Sequence, residues 1–181
     1  MADRNTRISD FVWKNLNEKQ VTARKDVFWE SLHDAGTEIW LDTGDIEEAE
    51  ANWTAEMSAL TTNNTLLNNE IQKGIYDVFI SEARSLVRDL SPEERVRELA
   101  FIVNARHGLR LALKFGGMVS VDLHTSTARD IMGIEYYGKR LHEICPDQFI
   151  IKVPFTAEGL IGARRLKESG IRVNFTLDFS A

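Results

Sequence analysis

Cysteine is almost missing from this chain: Cys145 is the only one in 181 residues. No disulfide framework and no cysteine-based metal site can therefore form within one chain. An excess of positive charge is missing too. Lys and Arg number 22 against 28 Asp and Glu, and the net charge of −6 argues against a general nucleic-acid binder. The small basic cluster of Arg164, Arg165 and Lys167 alternates with acids and reads as a solvated helix face. No apolar run approaches the ~20 residues that span a bilayer. The start, "MADRNTRISD", has no apolar stretch of the kind a signal peptide carries. A soluble cytoplasmic protein is the expectation. The four histidines (33, 107, 124 and 142) lack metal-ligand spacing with one another, and a zinc pairing of His124 with Asp122 would want a third ligand.

No linker, repeat or low-complexity tract divides the sequence, and a hydrophobic content of 43% suits one domain with a real core. Residues 7–35 read as helical, with Phe11, Trp13, Val27, Phe28 and Leu32 as apolar contacts. "EIWLDT" (38–43) is a short strand and "SALTTNNTLL" (58–67) a second, turning into a helix that Asn64 or Thr65 could cap. The pattern then predicts one long helix over 66–89. "SPEE" (91–94) opens another, with Ser91 as cap, Pro92 in the first position and Glu94 closing the box. Val96, Leu99 and Val103 fall on one face of it. Strands follow at "GGMVSVDLH", "QFIIKVPF" and "IRVNFTLDFS", with helices between them. After the N-terminal helix the expected order is βαβααβαβαβ, an α/β protein with parallel pairing. The tryptophans at 13, 29, 40 and 53 read as packing groups rather than a ligand platform.

"FIIKVPFTAEGL" (149–160) poses the functional question, because Lys152 sits where a strand is most deeply buried. A buried, unpaired ammonium is costly, and a lowered pKa is its usual relief. A neutral amine in a pocket is a nucleophile toward carbonyls. Other strands also carry polar groups near their C-terminal ends: Asp42, Asn63, Asp122, Asn174 and Thr176. That end is where α/β folds bind ligands. Each residue has a plainer reading as well. Lys152 could snorkel to solvent, Asp42 could cap a helix, Asn63 and Asn64 could be turn residues, and Thr176 could be an ordinary strand threonine. Taken together they make a coherent Schiff-base site: an amine, two carboxylates for proton transfer, and amides and hydroxyls to hold sugar oxygens.

"WLDT", "ALTTNNTLL", "VSVDL", "IIKVPFTAEG" and "GIRVNFTLDFS" resemble, in order and approximate spacing, the transaldolase family, which includes the fructose-6-phosphate aldolases. The resemblance runs from about residue 37 to the end. It implies a (β/α)8 TIM-type barrel, here an N-terminal helical segment (1–37) followed by strands 1–5 (38–181), and no metal or cofactor. It implies transfer of a dihydroxyacetone unit from a ketose phosphate to an aldose phosphate, a step of the pentose phosphate pathway. Lys152 would form the imine and Asp42 would act as general acid and base. Asp122 and Thr176 would position a water that relays protons. Asn63, with Thr62 beside it, and Asn174 would hold substrate hydroxyls.

Three departures stand out. Asn64 and Thr65 replace the Pro and Ser of the family's usual "TTNPS". Asp122 stands where transaldolases usually have glutamate, while the aldolases are expected to carry glutamine. The chain also stops after the fifth strand, before the family's phosphate-binding arginine and serine. Completion by a further C-terminal segment or another chain is the expectation, with self-association open. The alternatives are an aldolase that releases dihydroxyacetone and an inactive barrel fragment serving as a binding partner. The sequence offers no account of Asp178.

Overall fold

The computed structural model describes residues 3–178. Helices α1 (Arg4–Trp13) and α2 (Val27–Asp34) precede strand β1 (Ile39–Asp42). Then come α3 (Ile46–Asn52), β2 (Met57–Thr61), α4 (Asn64–Gln72), α5 (Asp77–Ala83) and α6 (Pro92–Phe115). The chain continues through β3 (Met118–Asp122), α7 (Ile131–Ile144), β4 (Phe149–Pro154), α8 (Ala157–Glu168) and β5 (Val173–Thr176). All five strands are parallel and lie in one sheet in chain order. Consecutive parallel strands joined through helices are the construction of a TIM-type barrel. The described residues supply five of its strands, with β1 and β5 at the edges.

The sheet has two unlike faces because successive side chains on a strand alternate. Val119, Val121, Phe149, Ile151 and Val153 are fully buried and belong to the main apolar core. Helix α6 is the central piece of that core. Its start is a full capping box: the Ser91 hydroxyl accepts from the Glu94 N–H, and the Glu94 carboxylate accepts from the Ser91 N–H. Gly116, at φ 71°, ends it in the left-handed conformation that glycine adopts without penalty. Gly108 lets the helix lie against the sheet; a Cβ there would meet the Phe149 ring at 2.9 Å and Val121 at 3.0 Å. Replacing Ser91 with Ala removes the cap and should lower unfolding stability by about 1 kcal/mol, read from urea denaturation.

The N-terminal region is less continuous than the sequence reading expects. Residues 14–26 are not helical; Asn15 sits at φ 54°, and Asp26 starts α2 afresh by accepting the Phe28 N–H. Val27 and Phe28 are exposed instead of packed. Helix α1 docks through Ile8 and Val12, and Arg106 of α6 donates to the carbonyls of Val12 and Lys14. The long helix expected over 66–89 is broken at Gly74 (φ 77°) into α4 and α5, so the order is βαβαααβαβαβ.

Smaller details complete the fold. Val96 of α6 points outward rather than onto the shared face, and a 3-10 turn over Thr125–Thr127 precedes Asp130, which caps α7. Among the tryptophans, Trp53 is the fully buried one, against Phe115, while Trp13 is 40% exposed. The end of the "IRVNFTLDFS" strand, beyond 178, lies outside the described residues.

Candidate active site

Register decides which side chains share a face, because laterally paired residues of a parallel sheet point the same way. One row across the sheet is Asp42, Thr61, Ser120 and Ile150. The next row is Asp122, Lys152 and Asn174. One step further, Thr176 pairs with Pro154. These residues occupy the face opposite the Val119, Val121, Phe149 and Ile151 side chains. On β4 the alternation therefore puts one lysine among the apolar residues and aims it away from the helices.

Lys152 is 9% exposed. Its Nζ donates to the Thr62 carbonyl (3.1 Å) and makes a longer contact with the Thr61 hydroxyl (3.4 Å). Neither partner carries charge, so the ammonium has no ion pair among the described residues. Its nearest register neighbour is Asp122, whose carboxyl burial pushes up to about 6; the Lys152 charge and hydrogen bonds from Asn64 oppose that rise. A carboxyl near 6 can both give and take a proton around neutral pH.

Lys152, Asp122, Asn63 and Thr176 line one cleft of about 560 Å³, joined by Asn64 and Thr65. Asn63 is also the N-cap of α4: its Oδ1 accepts the Leu66 N–H at 2.9 Å, which aims the residue without engaging its amide nitrogen. That correction replaces the expected cap at Asn64 or Thr65. Thr62, expected beside Asn63 as a substrate contact, is buried and does not line the cleft. Its hydroxyl is buried against Gly44, so its carbonyl is the atom that meets Lys152.

Asn174 donates to the Ser120 hydroxyl at 3.0 Å, which fixes its side chain beside Lys152 in the same row. Asp42 is exposed at the end of β1, outside the cleft lining, and it does not cap a helix; Asp45 caps α3 instead. Three inter-strand steps separate β1 from β4, about 14 Å along the sheet.

Sequence reasoning missed Thr61, Ser120 and Asn64 as site groups. The first two were findable by alternation, since each lies on the strand face shared with the polar residues already singled out. Asn64 carried no such signal; its role depends on where α4 begins.

Among the described residues no helix is long and apolar enough to cross a membrane. The sequence profile of the transaldolase/fructose-6-phosphate aldolase family matches residues 39–181. A probable transaldolase of Thermus thermophilus is 35% identical over 146 residues, covering 80% of this chain and 54% of that protein. A transaldolase of Renibacterium salmoninarum is 30% identical over 161 residues, with 82% and 43% covered. The chain thus spans about half the length of the curated relatives it matches. From β1 to the last residue the profile runs through the strands that carry the lysine, the carboxylates and the amides, and on that ground the chain belongs to the transaldolase/fructose-6-phosphate aldolase family.

Proposed function

We propose that this chain carries the Schiff-base site of a transaldolase, moving a dihydroxyacetone unit from a ketose phosphate such as fructose 6-phosphate to an aldose phosphate. The observation that carries the reading is Lys152 and Asp122 opening on one cleft, with the buried amine in register between that proton-exchanging carboxyl and the Asn174 amide. Free Lys152 amine adds to the ketose C2 carbonyl to give a carbinolamine. Loss of water, with the proton supplied through Asp122 and a water held by Thr176, gives the iminium. Asp42 takes the proton of the C4 hydroxyl, the C3–C4 bond breaks, and its electron pair enters the iminium as an enamine. The aldose phosphate leaves. The enamine then adds to the acceptor aldehyde, Asp42 returns the proton, and hydrolysis frees Lys152.

Asn63 and Asn174 supply the donors for the dihydroxyacetone hydroxyls, and no metal or cofactor enters any step. A carboxyl rather than an amide at position 122 favours transfer over the simple aldolase reaction. Asp42 lies three strands from Lys152 and outside the cleft lining, so this step requires the curl of a barrel to turn β1 and β4 toward one interior.

The test is intact mass of the purified protein after fructose 6-phosphate and borohydride. Hydride reduces an iminium to a stable secondary amine, so one reduced dihydroxyacetone unit on Lys152 is expected by peptide mapping. A folded protein that gains no mass sinks the proposal.

A further inference from the structure

Asn64 and Asp122 are the polar residues that stand between the cleft and a second space. Behind Asp122 lies a chamber of about 20 Å³, enough for one water, formed in part by Asn104, His124 and Tyr137. Among the residues that bound both spaces are Asn64 and Asp122. The Asn64 amide nitrogen donates to Asp122 Oδ2 at 3.1 Å and to the Leu123 carbonyl at 3.0 Å. Its backbone N–H, free because it belongs to the first turn of α4, also faces the Asp122 carboxylate. On the other side, Asn104 of α6 holds the Asp122 carbonyl at 2.7 Å. The backbone at 122 is thus fixed from α6, and the carboxylate is fixed from α4.

We infer that Asn64 is a positioning residue: its amide and backbone N–H hold the Asp122 carboxylate toward Lys152 and the cleft, and keep it out of the chamber behind. The inference rests on the Schiff-base reading for its catalytic consequence, but the coupling itself is a property of the folded chain. An aspartate reaches less far than a glutamate, so its direction depends more on what holds it. The two donors favour the ionised carboxylate. The charged and titratable groups around it are Lys152 on β4, Arg97 on α6, His124 after β3 and Tyr137 on α7. Without Asn64 the side chain gains a second resting place, facing His124 and Arg97 instead of the substrate.

Proline suits the test. Position 64 is the first residue of a helix, where proline is well tolerated, and Asn63 before it is already extended (φ −146°, ψ 171°). Asn64→Pro removes the amide and the N–H together, whereas Asn64→Ala removes the amide alone. The carboxyl of Asp122 is followed by 13C NMR on the Asp-labelled full chain, assigned with Asp122→Asn. The expected result is a titration shifted upward by about one pH unit in Asn64→Ala and further in Asn64→Pro. The acid limb of imine formation should move with it. Helix content and the melting transition of the alanine variant report folding, and that variant decides if the proline one is unstable. An unmoved titration in a folded Asn64→Ala overturns the inference. Borohydride trapping on the unaltered chain tests the Schiff-base reading separately, because the NMR titration needs no turnover.

Discussion

On the proposed Schiff-base reading, replacing Lys152 with Met is expected to abolish borohydride trapping and any transfer activity, while the protein stays folded. The size of the loss follows from what the amine supplies. Without the iminium there is no electron sink for the C3–C4 bond, and the carboxylates alone offer only general acid–base assistance. A fall of roughly 10³-fold or more is expected, about 4 kcal/mol of barrier. Methionine matches the unbranched stem, so the packing of β4 between β3 and β5 should survive. What the variant gives up structurally is the hydrogen bond to the Thr62 carbonyl. Deleting the ammonium also removes the main attraction that favours ionised Asp122, so that carboxyl should titrate above its present value of about 6. Trapping at an undiminished level in Lys152→Met would move the imine to another lysine and end the argument built on β4.

The lysine was readable from the sequence because a strand announces burial through its neighbours: "FIIKVPF" leaves no solvent face for a charge. The five-strand parallel order was readable for a similar reason, since short apolar runs separated by helical periods admit few topologies. What could not be read was where helices stop. Gly74 breaks a helix that the apolar pattern carries through, and Asn15 closes α1 in a conformation that composition does not announce. Propensity is a weak prior at such points, and packing decides. The same limit hid Asn64. Whether a residue at 64 faces a carboxylate on β3 depends on the cap at Asn63 and on the distance between strands, neither of which is a local property. Asp42 shows the converse: its residue type and position were evident, but its separation from Lys152 follows from strand count, not motif. Asp178 is exposed and remains without a structural role.

Between pH 6.5 and 4.5 the folded protein should show a nearly flat stability, and two single variants should pull that flat line apart in opposite directions. His107 is fully buried on α6. Its Nδ1 accepts from Tyr76, which in turn receives Arg110, itself paired with Glu18 from the loop after α1. Burial, with the nearby Arg110 charge, pushes the imidazole down to about 4, while Asp45 and Lys73 act weakly in opposite senses. In the window from 6.5 to about 4 the unfolded chain takes up a proton that the folded one refuses, so stability is lost as pH falls, about 3 kcal/mol across the whole window. Asp122 runs the other way. Its carboxyl is raised from 3.8 to about 6 by burial, so the folded state holds the extra proton and stability is gained as pH falls from about 6 to 3.8. Allowing for its partial exposure, that gain is on the order of 2 kcal/mol. Asp122→Asn keeps an oxygen for the Asn64 amide but no longer titrates. It should be more stable than the unaltered protein at pH 7 and lose about 2 kcal/mol or more by pH 4.5. His107→Gln keeps an acceptor for Tyr76 and should instead gain stability over the same interval. Urea midpoints at pH 7, 5.5 and 4.5 measure all three proteins. Parallel curves would mean that neither buried group changes its proton affinity on folding. Crossing curves would show that the carboxyl proposed for proton relay costs stability at neutral pH, the usual mark of a group kept for chemistry rather than for the fold.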